Sequence, residues 1–306
     1  MNAERGTKRD VHRSSSIAHR SSLATVATFG FGADTARLLT AFRGLGCETC
    51  QFYREDGHVV SPGAARRIVE GAALRFDSVH GVFGEHIDPS SLDAAERARC
   101  VKIYEGEGRL ALELGGARAG AVVVHPACFN PGRRIMDPAE AGAAQAPRWP
   151  ALADFLARLA DVGERLGVTY LIENQPRNSP LGHDPAALAE RVRAVGSARI
   201  RMCLDTGHAH MTGDAAAGIR ACADVIGYFH LHDNDGGADT HLMPGDGTIE
   251  WGDGVGAALR EQGGTAPRML EVFYEPDRIE RLVAGGFADR LRRLLGLADA
   301  EKRRDG

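Results

Sequence analysis

The chain has 306 residues, of which 43% are hydrophobic and 25% are charged, a composition typical of a globular protein rather than of a disordered one. Its formal net charge of -4 provides no overall positive field for nucleic acid or an anionic membrane surface, and its apolar runs are too short to cross a bilayer. The length allows one large barrel or two ordinary domains.

The two ends of the chain differ from the part between them. Residues 1–22 are polar, rich in serine and arginine, and lack the apolar stretch of a signal peptide, so we predict a frayed or disordered lead-in there. Residues 299–306 form a charged tail of the same kind. Because no composition shift or linker divides the rest, we predict one catalytic domain over residues 23–298.

Between these ends, short β-rich runs alternate with amphipathic stretches. The predicted strands, in chain order, span residues 23–30, 48–53, 76–83, 121–126, 169–173, 200–205, 225–232 and 268–273. The helices predicted after them, in the same order, span residues 35–45, 64–73, 91–114, 150–166, 185–195, 215–222, 251–262 and 277–295. The strands are continuous apolar runs, which is typical of parallel strands buried on both faces.

Eight βα units of this size predict an α/β fold of the single (β/α)8 TIM barrel type, which typically needs about 250 residues. The alternative is an open doubly wound sheet. It is less favoured because neither a G-x-G-x-x-G run nor a phosphate-binding loop follows the first strand. The segment 129–148, after the fourth strand, is rich in glycine, alanine and proline, and we predict a flexible lid there.

The six cysteines include a single C-x-x-C pair, Cys47 and Cys50. This pair is a weak zinc signal, because no second pair accompanies it and positions three apart on a strand point to opposite faces. We expect buried, reduced thiols, which would suit a cytoplasmic protein.

Polar side chains collect at the carboxyl ends of the predicted strands, where barrel enzymes build their sites. These residues are, in chain order, His80, His125, Glu173, Asp205, His208, His230, Asp239, His241 and Glu271. Any one of them could be a helix N-cap or a hydrogen-bonded core residue. Together they indicate more, because carboxylates in apolar strands are costly to bury unless they are paired or metal-bound.

The fifth to eighth strands bring Glu173, Asp205, His230 and Glu271 to the same end of the barrel. This oxygen-rich set predicts one divalent ion, and Mn²⁺, Mg²⁺, Co²⁺ and Zn²⁺ all suit it. We expect the ion to polarise a substrate carbonyl and stabilise an enediolate, while Glu173 and Glu271 remove and return a proton.

The remaining candidates have two interpretations each. His80, His125 and His241 would be further ligands or substrate contacts, or would orient the ligands by hydrogen bonds. Arg177 would bind an anionic substrate through its planar guanidinium, or would be a solvated loop charge.

Several short motifs resemble those of the xylose isomerase-like barrel superfamily, and within it those of the sugar phosphate isomerases and epimerases. They are IENQPR at 172–177, CLDTGHAH at 203–210, HLHDN at 230–234, HLMPGDGTIEW at 241–251 and LEVF at 270–273. The resemblance implies a metal on Glu173, Asp205, His230 and Glu271, with the two glutamates as acid and base. It also implies that His208 contacts a small sugar or polyol-like substrate.

The same superfamily contains endonuclease IV, a three-zinc enzyme that cuts abasic DNA, and this resemblance implies an alternative. One zinc would be bound by His80, His125 and Glu173, a second by Glu173, Asp205, His230 and Glu271, and a third by His208, Asp239 and His241. A dehydratase of the same barrel family is a further alternative.

Features of the sequence favour the small-molecule enzyme, without a nucleic-acid partner. The run Asn174-Gln175-Pro176-Arg177 differs from the endonuclease's Asn-Thr-Ala-Gly, and the loop from His230 to Asp239 is shorter than in the endonuclease. Aromatic residues make up only 6% of the chain, so stacking platforms for bases are scarce. The sequence leaves homo-oligomerisation open.

Overall fold

The structure, a computed structural model, describes residues 23–26, 31–53, 60–115, 120–263 and 266–297. Within these ranges, eight parallel strands follow one another around a closed barrel in chain order, and the last strand pairs with the first. The strands are β1 (Leu23–Val26), β2 (Thr49–Phe52), β3 (Arg75–His80), β4 (Ala121–Val124), β5 (Thr169–Glu173), β6 (Ile200–Asp205), β7 (Ile226–Leu231) and β8 (Arg268–Leu270). The predicted (β/α)8 barrel is confirmed.

The helices of the described chain connect these strands. They are α1 (Thr35–Gly44), α2 (Pro62–Gly71), α3 (Ala94–Gly115), α4 (Pro138–Gln145), α5 (Trp149–Leu166), α6 (Pro185–Val195), α7 (Thr206–His210), α8 (Ala215–Ala221), α9 (Gly256–Glu261), α10 (Pro276–Ala284) and α11 (Phe287–Leu294). The predicted lead-in, the charged tail and the predicted strand residues 27–30 lie outside the described ranges, as does residue 298.

Local sequence signals place several helix ends where they were predicted. The side chain of Asp184 accepts hydrogen bonds from the backbone N–H groups of Ala186 and Ala187, and Pro185 occupies the first helical position of α6. Gly196 ends the same helix in a left-handed conformation, with φ of +68°. The bounds of α6 therefore follow directly from its sequence.

Two predicted helices differ from the structure. The last one, predicted over residues 277–295, is divided into α10 and α11, because Gly286 adopts a left-handed φ of +72° that a continuous helix does not allow. The one predicted over residues 251–262 begins with a π-helical turn, Trp251–Val255, before α9.

The segment predicted as a flexible lid contains helical turns. It holds short 3-10 turns at Pro131–Arg133 and Ala146–Arg148, with α4 between them. Asp137 caps α4 by accepting a hydrogen bond from the N–H of Glu140. The N–H groups of Asn130 and Met136 donate to carbonyl oxygens after β5, those of Asn178 and Arg177, at 2.7 and 2.8 Å. The segment is therefore attached to the neighbouring loop.

The apolar core has two layers, as expected for a barrel whose interior is filled by side chains. The outer layer lies between strands and helices. The inner layer contains Ala24, Val26, Tyr53, Val123, Leu171, Cys203, Tyr228 and Met269. The cysteines are free thiols, and all except the partly buried Cys128 are buried, in agreement with the expectation of buried thiols. No helix in the described ranges is long and apolar enough to cross a membrane.

A half-buried carboxylate group lies near the beginning of the strands. Asp77 in β3 accepts hydrogen bonds from the hydroxyl groups of Thr49, Ser78 and Tyr228, at 2.5, 2.7 and 3.0 Å. Burial raises the pKa of Asp77 above its ordinary value, although the three hydroxyl donors oppose that rise.

A buried arginine fastens the last strand to the helices around it. Arg268 in β8 is only 1% exposed, and its Nη1 and Nη2 donate to the carbonyl oxygens of Leu295 and Leu259 at 2.6 and 2.7 Å. Burial lowers the pKa of Arg268 to about 10, which leaves the guanidinium charged at neutral pH. One side chain thus connects β8 to α9 and to the residue after α11.

Candidate metal and catalytic site

Four polar side chains lie at neighbouring strand ends, and we call them the central cluster: Glu173, Asp205, His230 and Glu271. Glu173 and Asp205 end β5 and β6, His230 lies one residue before the end of β7, and Glu271 directly follows β8. Their exposed fractions are 1%, 0%, 0% and 4%. The structure therefore brings the four predicted ligands together in a buried site at the barrel mouth.

Two carboxylates approach the imidazole of His230. Its Nδ1 lies 2.6 Å from Oε1 of Glu173, 2.9 Å from Oε2 of Glu271 and 4.0 Å from Oδ2 of Asp205. The single N–H that Nδ1 can carry is directed at Glu173, so Oε2 of Glu271 is close to this nitrogen and yet has no hydrogen bond. A buried carboxylate oxygen without a donor is costly, and a shared cation would remove that cost.

The charged groups of the central cluster stabilise one another's ionised forms. Burial, the largest single influence, would raise the pKa values of Glu173 and Glu271, but the neighbouring histidines together outweigh it and hold both pKa values below their ordinary range. These are His230 at both glutamates, with His125 at Glu173 and His241 at Glu271. Burial would lower the pKa of His230, but Cys203, Glu271 and Glu173 raise it well above its ordinary value. The carboxylates are therefore held in the ionised form that binds a cation or accepts a proton.

Two imidazoles from earlier strands approach Glu173. Nε2 of His125, which directly follows β4, lies 2.9 Å from Oε2 of Glu173, and Nε2 of His80, the last residue of β3, lies 3.8 Å from it. Nδ1 of His80 lies 3.0 Å from the carbonyl oxygen of Gly81, so Nδ1 donates there and the Nε2 lone pair is directed towards the glutamate. Burial lowers the pKa of His80 to about 4, which keeps the ring neutral at pH 7. A neutral imidazole with its free nitrogen beside a carboxylate is well suited to metal binding.

Asp205 has two roles in the structure. Its Oδ1 accepts a hydrogen bond of 2.7 Å from the backbone N–H of His208 and so caps α7, which is the ordinary role of a carboxylate at a strand end. Its side chain also faces the barrel mouth, where both oxygens lie 3.0–3.1 Å from Nε2 of His232.

A second group lies beside the central cluster, and we call it the outer cluster: His208, Asp239 and His241. Nδ1 of His208 lies 2.8 Å from the carbonyl oxygen of Asn174, and Nδ1 of His241 lies 2.9 Å from that of Glu271. These contacts place a proton on each Nδ1. Both Nε2 atoms are directed at Oδ2 of Asp239, at 3.2 and 3.3 Å.

The outer cluster is also electrostatically coupled. Burial would lower the pKa of both imidazoles, but Asp205 and Asp239 raise the pKa of His208 well above its ordinary value. Asp239 in the same way raises the pKa of His241 to about 9. Burial would raise the pKa of Asp239, but the two histidines hold it well below its ordinary value. Two imidazole nitrogens facing one carboxylate require either protons or a bound cation between them.

His232 joins the two clusters and is an addition to the site residues predicted from the sequence. Its ring is fully buried, lies 3.6 Å from Oδ1 of Asp239 and stacks on His241 with ring centroids 4.1 Å apart. The signal for it is its position two residues after His230, because alternate residues of a strand point to the same face. Its placement depends on Gly207, which leaves room for the ring.

The loop that supplies Asp239 and His241 is held by the buried carboxylate of Asp233. Its oxygens accept hydrogen bonds from Nε1 of Trp251 at 2.8 Å and from the backbone N–H groups of Gly245 and Ile249 at 2.9 and 3.1 Å. Asp233 is fully buried. One carboxylate thus connects several parts of this loop.

Aromatic rings from the second to fourth strand ends form one wall of the site, and sequence analysis did not predict them. The ring centroid of Tyr53 lies 4.9 Å from that of His80, and those of Phe83 and Phe129 lie 4.5 and 5.5 Å from that of His125. The wall gives the mouth one apolar side, against which His80 and His125 pack.

Arg177 lies away from the central cluster. Its Nε donates to the carbonyl oxygen of Met136 at 3.2 Å, and its own carbonyl accepts the N–H of the same residue. No contact between Arg177 and the central cluster is present within the described ranges. Its role as an anion-binding residue stays a prediction.

The residues present fit a divalent ion. Several groups of three ligand atoms lie within 4.8 Å of one another, including His80–His230–Glu271, His80–His125–Glu173 and His232–Asp239–His241. Carboxylate and imidazole ligands suit Mn²⁺, Co²⁺ and Zn²⁺, and the carboxylate-rich part also suits Mg²⁺.

Residues 41–294 match the family model described as xylose isomerase-like TIM barrel. A protein of Methanocaldococcus jannaschii, uncharacterized protein MJ1311, is 31% identical over 100 residues. That match covers 31% of this chain and 34% of the relative, so it spans about a third of the length of either protein.

Solved structures of sugar epimerases share this fold. An L-ribulose 3-epimerase is 22% identical with a TM-score of 0.70, and the match covers 92% of this chain and 99% of that chain. A D-tagatose 3-epimerase-like protein is 20% identical with a TM-score of 0.68, over 90% and 98% of the two chains. A 3-keto-D-glucoside 4-epimerase of E. coli is 16% identical with a TM-score of 0.65, over 89% and 100%. At these identities the likeness establishes the fold alone.

Proposed function

The chain belongs to the xylose isomerase-like TIM barrel family, and from that membership we propose that it is a divalent-metal-dependent sugar isomerase or epimerase. Glu173, Asp205, His230 and Glu271 are the proposed ligands, and the two glutamates are also the proton-transferring pair. The observation that carries the proposal is that both glutamates approach the same nitrogen of His230, at 2.6 and 2.9 Å. Similar structures of L-ribulose and D-tagatose-like 3-epimerases support a sugar substrate.

The chemistry needs a base on one side of a carbon next to a carbonyl and an acid on the other. Glu173 and Glu271 come from β5 and from the end of β8, so they reach the mouth from two separate parts of the barrel wall. The neighbouring histidines hold the pKa values of both glutamates low, so an ionised glutamate is available to remove the proton. The other glutamate must first take up a proton of its own, from water or from a substrate hydroxyl, which it then gives to the opposite face of the carbon. When bound, the divalent ion stabilises the negative charge that develops on the substrate's oxygens.

The surrounding residues bind and orient the sugar in this proposal. The aromatic wall packs against the C–H groups of the sugar, as ring faces do in apolar contacts. His80, His125 and His208 contact its hydroxyl groups. Burial of the central cluster excludes water from the reacting carbon.

Proton exchange tests the proposal directly. The Mn²⁺-loaded protein is incubated in D₂O with D-fructose, D-tagatose or L-ribulose, and the C–H group next to the carbonyl is followed by NMR. Deuterium incorporation there, with a new epimer or isomer, is the expected result. A product that has lost water would instead assign dehydration, which begins with the same proton removal. The absence of exchange with every ketose and aldose tried, including their 6-phosphates and 6-carboxylates, would refute the proposal.

A second candidate is a multi-zinc phosphodiesterase acting on abasic DNA, and the favouring observation is the outer cluster. In this candidate, His208, Asp239 and His241 hold one zinc, and His80 and His125 share Glu173 with another. The convergence of two Nε2 atoms on Oδ2 of Asp239, at 3.2 and 3.3 Å, is what such a site needs.

Metal content and DNA cleavage distinguish the two candidates. About one ion per chain, with sugar turnover, fits the isomerase. Up to about three zinc ions per chain, with cleavage of a duplex carrying one abasic analogue, fits the phosphodiesterase. A duplex without the abasic position is the control substrate.

A further inference from the structure

An arginine at the rim of the mouth is held in an unusual backbone conformation. Arg133 has a φ of +52° and directly follows Gly132, with a φ of +62°. Glycine adopts this left-handed region readily, whereas an arginine there is under strain. Such strain persists where the surrounding structure enforces it, and it is concentrated at functional sites.

The turn around Arg133 is fixed at both sides. The N–H of Gly132 donates to Oε1 of Glu85 at 2.9 Å, and the N–H of Arg133 donates to the carbonyl oxygen of Asn130 at 2.8 Å. The side-chain amide of Asn130 donates in turn to the carbonyl oxygens of Arg134 and Arg177, at 2.8 and 3.3 Å. These hydrogen bonds therefore fix the backbone position from which the side chain of Arg133 extends.

The guanidinium of Arg133 lies on the aromatic wall. Its Cζ lies 4.5 Å from the centre of the Phe129 ring, an arrangement in which the ring face attracts the cation. Phe129 packs against His125, and Nε2 of His125 lies 2.9 Å from Oε2 of Glu173. A short series of contacts thus leads from the guanidinium to a proposed catalytic carboxylate.

The next arginine in the chain is arranged differently. Arg134 is paired with both oxygens of Glu140 on the adjacent helix α4. Within the described ranges, Arg133 has no carboxylate partner at ion-pair distance, and its side chain is exposed at the mouth. Its planar set of N–H donors is therefore available to a ligand.

The positive charge of Arg133 also affects the pKa of a residue inside the site. Burial, followed by the carboxylates of Glu271 and Glu173, raises the pKa of Tyr53, whereas Arg133 opposes that rise. The same tyrosine thus experiences both proposed catalytic glutamates and Arg133, so the guanidinium is close enough to the site to act on a charge there.

We propose that Arg133 binds an anionic group at the end of the substrate distant from the reacting carbonyl, so that the substrates are sugar phosphates or sugar acids rather than neutral sugars. The inference rests on the proposed isomerase or epimerase function. Guanidinium groups bind phosphate and carboxylate through two parallel hydrogen bonds, and the strained turn holds these donors ready. The strained backbone turn then fixes the position of the Arg133 guanidinium, and the aromatic wall lies between this cation and Glu173.

The test compares three proteins and three substrates. Wild type, Arg133→Gln and the matched control Arg134→Gln are assayed with a ketohexose, its 6-phosphate and the corresponding 6-carboxylate. Wild type is expected to prefer an anionic substrate, and the phosphate and carboxylate assays identify which one. In Arg133→Gln we expect kcat/KM for that substrate to fall by roughly 10- to 100-fold, mainly through KM, with little change for the neutral sugar. The Arg134→Gln variant keeps the preference.

Equal kcat/KM values for the neutral and both anionic sugars in wild type would overturn the inference, as would an unchanged preference in Arg133→Gln. Either result with proton exchange intact leaves the isomerase proposal standing. If no sugar is turned over, titration calorimetry with inorganic phosphate decides. Weaker phosphate binding by Arg133→Gln than by wild type and Arg134→Gln supports the site, and equal binding by all three overturns it.

Discussion

A β-carbon placed on Gly207 would lie 1.9 Å from Cε1 of His232. Contacts shorter than 3.0 Å are essentially never adopted by real β-carbons, so no residue with a side chain fits at this position without displacing the ring. Glycine is needed here for space, since Gly207 is not among the glycines with positive φ. The position of the imidazole between the two clusters depends on that space.

We therefore expect Gly207→Ala to lower the free energy of unfolding by about 1–3 kcal/mol, because the overpacked ring must move. Gly213→Ala is the matched control, since no atom of the described chain lies within 4 Å of its added β-carbon. Urea denaturation of both variants measures the difference. Equal midpoints and slopes for the two variants would contradict the prediction.

Glu271→Gln is expected to reduce sugar turnover by roughly 10²- to 10⁴-fold, because an amide cannot accept the proton. The amide oxygen can still contact a metal ion, so metal content should stay close to that of wild type. Glu275→Gln is the control, because Glu275 is exposed and belongs to the same loop. Unchanged turnover in Glu271→Gln would remove Glu271 from the acid–base pair.

Asp77→Asn should change how stability depends on pH. Because burial raises the pKa of Asp77 above 3.8, the folded protein binds a proton there more tightly than the unfolded chain does. This contribution stabilises wild type at low pH and is lost as the pH rises through the raised pKa. The variant should therefore become more stable relative to wild type as the pH rises from 4 to 8. Unfolding at both pH values tests this, and a constant difference would contradict it.

Asp233→Ala is expected to destabilise the protein by about 3–5 kcal/mol, because buried donors lose their acceptor. These donors are the indole N–H of Trp251 and the backbone N–H groups of Asn234, Gly245 and Ile249. Asp235→Ala is the control, since Asp235 is exposed and accepts only from its own turn. Thermal unfolding and hydrogen exchange of the loop measure the effect, and similar losses in both variants would show that Asp233 is not the anchor.

The thiols should react in a defined order. Burial raises the pKa of Cys203 and Cys222 to about 12 and that of the partly buried Cys128 to about 11. At pH 8 we expect iodoacetamide to modify Cys128 first, with all six cysteines modified after unfolding. Mass spectrometry of tryptic peptides identifies the order. Earlier modification of Cys203 in the folded protein would contradict it.

The barrel and the central cluster could be predicted from sequence because both depend on local signals. Each strand is a short apolar run bounded by turn residues, and Glu173 and Asp205 end two such runs. Parallel strands in a barrel bring their carboxyl ends to one mouth, so the fold alone makes these residues neighbours. The N-cap role of Asp205 was also open to prediction, since it concerns only the next three residues.

Other parts of the site depend on distant contacts that local patterns do not encode. The wall formed by Tyr53, Phe83 and Phe129 comes from three separate strand ends and exists only after the barrel closes. The strain at Arg133 is not visible in sequence, because arginine ordinarily avoids a left-handed backbone. The role of Asp233 could not be predicted, because its contact with Trp251 forms only in the folded chain.

The buried guanidinium of Arg268 also bears on the order in which the barrel is completed during synthesis. Its two acceptors, the carbonyl oxygens of Leu259 and Leu295, precede and follow the strand that carries it. A nascent chain that has not yet released Leu295 from the ribosome holds this charge with only part of its acceptors, and β8 lacks its full attachment. The pairing of β1 with β8 joins the first and last strands of the barrel, so it can be completed only after β8 and both acceptors of Arg268 have left the ribosome.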